Sequence, residues 1–206
     1  MPLPFSNKYT QGDLQKLKAL LAPQFAEAFP LPRKQLRVLN IACGRADETG
    51  ILIENLLAHT ELLEITGVDI RNREIGEAKQ RWAKHPKANC QFFTQNASQL
   101  DHVRELDGPY DLILMRHQNF WNGAETWVKI YDAALHRLSE SGILTITSYF
   151  DDEHRQAMQA ITSLGGKLQH TLRNPKARPI ADAPNKSVDR HIAIFRRTPI
   201  SPDIIV

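Results

Sequence analysis

Cysteine is scarce: Cys43 and Cys90 are the only two in 206 residues, too few for a disulfide framework, and no spaced Cys/His set marks a zinc site. No bound metal is therefore expected, and unpaired thiols suit the reducing cytoplasm. Long apolar runs are also missing. The opening Met1-Pro2-Leu3-Pro4-Phe5-Ser6-Asn7-Lys8 has no secretory core, and no stretch nears the roughly 20 residues that a membrane-spanning helix requires. A cytoplasmic protein with no membrane partner is the expectation. An excess of one charge is lacking too: 26 Lys and Arg against 23 Asp and Glu leave +3, spread along the chain. That balance neither demands nor excludes nucleic acid. With no internal repeat and 42% hydrophobic residues, the length suits one globular unit with a buried core.

What the chain has is alternation. Residues 11–29 place Leu14, Leu17, Leu21 and Phe25 at helical spacing until Pro30-Leu31-Pro32 stops them, and Pro23 is expected to kink or split that helix. Beyond it, Leu36–Ala42, Glu64–Ile70, Cys90–Thr94, Asp111–Met115, Gly142–Tyr149, Lys167–Arg173 and Arg190–Arg196 read as strands. Helices are expected at Asp47–His59, Asn72–His85, Gln99–Leu106, Ala124–Ser139 and Glu153–Leu164. The fourth sets Val128, Tyr131, Leu135 and Leu138 on one face. Such alternation predicts a mostly parallel sheet between helical layers. Pro175, Pro179 and Pro184 break residues 174–189 into loop, so the last two strands are free to pair antiparallel.

The first strand runs through Asn40-Ile41-Ala42-Cys43-Gly44-Arg45-Ala46 into a helix that starts with Asp47 and Glu48. Small residues let backbone approach a ligand, and the end of the first strand is where open α/β sheets bind one. The dinucleotide form of this turn, Gly-x-Gly-x-x-Gly, is absent. Asp47 and Glu48 suit the positive end of a helix dipole and repel a phosphate, so a cationic or neutral group is favoured here. An ordinary capped helix has the same pattern. The second strand ends in Asp69, a carboxylate able to accept two ribose hydroxyls, with Ile70 next to pack on a purine. A helix cap is the plain alternative for Asp69. After the third strand, Asn96 and Ala97 offer a side-chain amide and backbone to a base.

Taken in order, these strand ends resemble the class I S-adenosylmethionine-dependent methyltransferases over about 36–197. Val38-Leu39-Asn40-Ile41-Ala42-Cys43-Gly44-Arg45-Ala46 is similar to the family's V-L-D-I-G-C-G-x-G, and Gly67-Val68-Asp69-Ile70 to its ribose-binding strand end. Asn96-Ala97-Ser98-Gln99-Leu100 resembles its D-A-x-x-L, and Tyr110-Asp111-Leu112-Ile113-Leu114 its fourth strand. Leu135-His136-Arg137-Leu138-Ser139-Glu140-Ser141-Gly142-Ile143-Leu144 resembles its approach to the fifth strand. The resemblance implies a Rossmann-like three-layer α/β/α sandwich with a seven-stranded, mostly parallel sheet whose last strand, at His191–Arg196, is antiparallel. It implies S-adenosyl-L-methionine as cofactor, held by Asn40, Ala42, Cys43, Gly44 and Asp47 from the first loop, Asp69 and Ile70 from the second strand, and Asn96, Ala97 and Arg116. The division implied is a helical extension or lid over 1–34 and a methyltransferase domain over 35–200.

Three positions depart from the pattern. Asn40 replaces a carboxylate near the methionine amino group, for which Asp47 or Glu48 is a substitute, and Ala42 and Ala46 replace glycines. Those methyls cost room only if the backbone needs positive φ or the cofactor touches it.

Methyl transfer from a sulfonium needs alignment first and a base only for some nucleophiles. The segment after the fourth strand, Arg116-His117-Gln118-Asn119-Phe120-Trp121-Asn122, is dense in polar and aromatic groups. His117 is the candidate general base, and His117, Asn119, Phe120 and Trp121 the candidate substrate contacts. Tyr149 reads as a packing residue. Arg173, Lys176, Arg178, Lys186 and Arg190 read as solvated loop charge. A small-molecule methyl acceptor is expected, since nearly all the length goes to the core fold. RNA or protein methylation is the alternative, weakened by the absence of an N/D-P-P-Y/F signature after the fourth strand. A cofactor-binding protein that has lost catalysis, and a NAD-dependent reductase, complete the readings.

Overall fold

The computed structural model describes residues 7–198; 1–6 and 199–206, and with them the ends of the expected 1–34 and 35–200 segments, lie outside the described residues. Seven main strands follow in sequence: β1 (Arg33–Ile41), β2 (Thr60–Asp69), β3 (Asn89–Thr94), β4 (Tyr110–Met115), β5 (Leu138–Ser148), β6 (Gly166–Arg173) and, after two short ones, β9 (His191–Arg197). They form one sheet in the order β3-β2-β1-β4-β5-β9-β6, with β9 antiparallel to its neighbours and the other six parallel. This is the expected Rossmann-like sandwich. The short pair β7 (Arg178–Pro179) and β8 (Ser187–Val188) makes a two-residue ribbon inside 174–189, which the prolines had suggested was loop throughout.

Strand alternation divides the core between the two faces of the sheet. Leu36 and Val38 of β1 point to the side covered by α1 (Thr10–Ala28), α2 (Thr49–Leu56) and α3 (Asn72–Trp82); Leu39 and Ile41 point to the side of α4 (Ala124–His136) and α5 (Asp151–Ser163). In α1, Leu17, Leu21 and Phe25 are fully buried in the first of these cores, each contributing about 1.5–3 kcal/mol. Pro23 lies inside α1 without ending it. The apolar residues on either side of it stay on one buried face, which holds the helix across the missing N–H.

Two segments differ from expectation. Residues 99–106 are not an α-helix but two 3₁₀ turns, Ala97–His102 and Arg104–Leu106, separated by extended Val103. Ala97, Leu100 and Leu106 are the buried residues there, and their spacing fits tight turns better than one 3.6-residue helix face. Leu138 belongs to β5 instead of the helix before it, because α4 stops at His136 and Leu138 pairs with Tyr110. Ile130, Tyr131 and Leu135 therefore form the buried face of α4. Among the described residues no helix is long and apolar enough to cross a membrane.

Candidate active site

β1 and β4 are neighbours, yet the chain leaves β1 for α2 on one face of the sheet and leaves β4 for α4 on the other. A crevice opens where such a sheet switches direction. The loop at the end of β1 enters it with alternate residues in the left-handed region: Ala42 at φ 56°, Gly44 at 54° and Ala46 at 52°. Both alanines thus keep the conformation that favours glycine, at about 1–2 kcal/mol each. A Cβ on Gly44 would lie 3.0 Å from the flexible ends of Arg71 and Glu74, which can give way, so it is the left-handed backbone that favours glycine there.

α3 braces this loop from below. Trp82 Nε1 donates to Ala46 O at 2.8 Å, Arg45 pairs with Glu77 at 3.0 Å, and the buried Arg81 guanidinium pairs with Asp47. Asp47 is therefore neutralised by α3, although it still lines the crevice. Glu48 turns the other way: it accepts from Asn40 Nδ2 at 2.6 Å and lies 3.7 Å from Arg116. Burial pushes its carboxyl up, against the opposing pull of Arg116 and Asn40. Asn40 Oδ1 is buried without a partner among the described residues.

At the end of β2, Asp69 Oδ2 accepts from Gly44 N at 2.8 Å, so the carboxylate faces the first loop. Its oxygens also take the Arg71 guanidinium at 3.0 and 3.2 Å. Burial alone would raise the Asp69 pKa; the hydrogen bonds from Arg71 and Gly44 outweigh it and hold the carboxyl below its ordinary range.

At the end of β4, Arg116 and His117 both meet Asp189, from the turn between β8 and β9. Arg116 grips it with two guanidinium nitrogens at 3.0 and 2.8 Å, Thr147 donates to it at 2.9 Å, and His117 Nε2 lies 2.8 Å from Oδ1. His117 (φ 58°) and Asp189 (φ 48°) are both left-handed, a strained backbone of the kind found where geometry is imposed for function. Burial opposes charge on Asp189, but Arg116 and then His117 hold it far below the carboxylate range. For His117, burial lowers the pKa more than Asp189 raises it, so the imidazole is neutral near pH 7. Its ring stacks on Tyr149 at 4.1 Å, with 22° between planes.

Two spaces meet at that stack. One, of about 340 Å³, is the crevice lined by the first loop, Glu48, Arg71, Arg116, His117 and Tyr149. The other, of about 650 Å³, lies beyond β4 and β5 and is lined by His117, Gln118, Asn119, Trp121, Tyr149, Phe150, Glu153 and Lys186, among others. His117 and Tyr149 belong to both.

Of the residues expected to hold a cofactor, Ala42, Cys43, Gly44, Asp47 and Arg116 line the crevice. Asn40 and Asp69 are tied to it through Glu48 and Gly44. Ile70 is exposed at the tip of β2, while Asn96 caps the turn after β3, its Oδ1 taken by Ser98, and Ala97 is buried beneath. Of the substrate candidates, His117, Asn119 and Trp121 line the larger cavity. Phe120 instead packs into the core against Tyr131, rings stacked at 5.9 Å. Sequence reasoning missed Asp189 altogether and set Tyr149 aside as packing. Nothing local marks Asp189, since Thr147, His117 and Arg116, which meet its carboxylate, lie 42, 72 and 73 residues away; for Tyr149, its place at the end of β5 beside the fourth strand was a usable signal.

No curated protein matches the sequence. Solved structures do match the fold. An S-adenosylmethionine-dependent methyltransferase from Clostridium acetobutylicum superposes with TM-score 0.66 at 12% identity, covering 90% of this chain and 92% of that one. An rRNA methylase from Streptococcus thermophilus gives 0.57 at 14%, covering 95% and 100%. The glycopeptide N-methyltransferase MtfA, solved with sinefungin, gives 0.60 at 11%, covering 87% and 85%. The family described as "Methyltransferase domain" matches residues 32–183, which span β1 through β7 and every loop of the crevice, and the chain belongs to that family.

Proposed function

We propose that this protein is an S-adenosylmethionine-dependent methyltransferase that modifies a small molecule. One observation carries the reading: a crevice at the tips of β1, β2 and β4 and a separate cavity beyond β4 and β5 meet at the His117–Tyr149 stack. A methyl donor in the first would face an acceptor in the second.

The residues of the crevice fit the cofactor. Asp69 is the acceptor for a ribose, once Arg71 yields its place on the carboxylate. With Asp47 neutralised by Arg81, Glu48 supplies the negative charge for the ammonium of the methionine tail, beside the unpartnered Asn40 Oδ1. Ile70 and Asn96, exposed at the tips of β2 and β3, are the residues for the base. When bound, the cofactor supplies a methyl group on an already activated sulfonium. What remains for the protein is alignment and proton removal. His117 is the general base, its Nε2 held between Asp189 Oδ1 at 2.8 Å and the Asp189 backbone N–H at 3.3 Å. Segment 1–34 acts as a lid through its link to the late loop, where Asp13 grips Arg178 at 2.9 and 2.6 Å; 35–200 is the catalytic domain.

A cavity of about 650 Å³ falls within the span typical of small-molecule sites. The late basic loop, which with the mild positive charge supports the RNA reading, is partly spent, because Arg178 pairs with Asp13 and Arg190 with Asp151. Two buried free thiols suit a cytoplasmic setting. Transfer of labelled methyl groups to a metabolite extract but not to RNA or protein supports this reading. Labelling of RNA or protein alone would replace it, and binding of S-adenosylmethionine without any transfer would mark a degenerate enzyme.

A further inference from the structure

Gln118 is fully buried at the wall of the larger cavity, and the direction of its amide can be worked out from the far end of a hydrogen-bond chain. Thr171 Oγ1 donates to Ile192 O at 3.0 Å. It must therefore accept, at 2.9 Å, from His154 Nε2, which carries the imidazole proton. His154 Nδ1 is then bare and accepts the Ser148 hydroxyl at 3.0 Å. Ser148 Oγ in turn accepts from Gln118 Nε2 at 2.7 Å. The chain fixes which end of the amide is nitrogen, and it leaves Gln118 Oε1 an acceptor with no partner among the described residues.

A second lining residue repeats the pattern. Glu153 is buried, and its Oε2 also lacks a hydrogen-bond partner among the described residues. Unmet buried acceptors cost free energy until a donor arrives. Around them stand Trp121, Tyr149 and Phe150, with the Lys186 ammonium 4.3 Å from the Tyr149 ring centre and 5.6 Å from that of Phe150. These ring faces already take a cation. Of the two carboxylates that line the space, Asp152 is held by Arg155 at 2.6 Å, which leaves Glu153, with its unpartnered Oε2, facing the ammonium of Lys186.

We infer that Gln118 selects the methyl acceptor, and that the acceptor is a neutral or cationic ring compound bearing O–H or N–H donors, not an anion. This inference rests on reading the cavity as the acceptor site. In the transfer, the nucleophile's lone pair forms the new bond to the methyl carbon while the carbon–sulfur pair leaves with sulfur as a neutral thioether. The proton released by the nucleophile goes to the His117 imidazole.

The test uses the full chain and three probes that share one ring: benzylamine, benzyl alcohol and benzoate. Their binding is followed by NMR, at the Gln118 side-chain amide and the Trp121 indole, with and without S-adenosylhomocysteine. Benzylamine and benzyl alcohol should bind at least about tenfold more tightly than benzoate. Gln118→Leu should reduce that ratio severalfold, Glu153 keeping the remainder, and Gln118→Glu should favour benzylamine still further. Equal or tighter benzoate binding, no binding of any probe at millimolar concentration, or an unchanged ratio in both variants would overturn the inference. Should S-adenosylhomocysteine fail to bind, the methyltransferase reading falls, while the ratio measured without it still decides the question of donor preference.

Discussion

Ala42 and Ala46 hold equal left-handed backbone but differ in surroundings: Ala42 is exposed, whereas the methyl of Ala46 is buried in the core. Ala42→Gly should therefore relieve strain at little loss, raising stability by about 0.5–1 kcal/mol, or roughly 1–4 °C in Tm. Ala46→Gly gives back a similar amount through lost burial and should be near neutral. Thermal unfolding of both variants checks the pair, and equal shifts would contradict the difference in packing. His154 supplies a test by pH. Burial, aided by the neighbouring His191, pushes its imidazole down to about 4. A His depressed in the folded state stabilises above its unfolded pKa and loses that contribution as pH falls from about 6.5 to about 4. His154→Gln, which can keep both hydrogen bonds, should remove roughly 3 kcal/mol of acid destabilisation across that window. An unchanged slope in urea titrations would show that His154 is not buried as a neutral ring. His117→Ala should lower methyl transfer by about 10²–10⁴ while cofactor affinity stays within a few-fold; a matching loss of affinity would make His117 a cofactor ligand instead of a base.

Among the elements, α3 and α1 position the site without lining much of it. α3 fixes the first loop through Trp82, Arg81 and Glu77. α1 reaches the late loop through Asp13 and Arg178, with Tyr9 4.7 Å from that guanidinium. Asp13→Ala should free the 174–189 segment, so that its amides exchange faster in hydrogen–deuterium exchange while those of β4 and β5 do not change. Equal acceleration across the sheet would mean a global effect instead. The elements were legible in sequence where burial follows one period: β1, β4 and α4 carry runs of apolar residues that only a sheet or an amphipathic face explains. Residues 99–106 mislead as a helix because Leu100 and Leu106 are buried by tertiary packing that their spacing does not announce. The Asp69 strand end was readable because carboxylate, glycine and apolar run are local. Asp189 was not, because its role exists only after β9 inserts between β5 and β6 and sets the β8–β9 turn beside Arg116.

For the whole molecule, the sheet order brings three strand tips and a distant turn to one place. Strands are added outward on one side of β1 up to β3 and then on its other side from β4, and that switch in strand order opens the crevice. The insertion of β9 sets the buried Asp189 behind Arg116 and His117, which line the crevice. The central claim is that this crevice holds a sulfonium nucleoside by its sugar, and calorimetric titration with S-adenosylhomocysteine tests it directly. One molecule should bind per chain, Asp69→Ala should weaken binding by at least about tenfold through loss of its hydrogen bonds, and NAD should not bind. Binding of NAD in its place, or equal affinity of wild type and Asp69→Ala, would contradict the account.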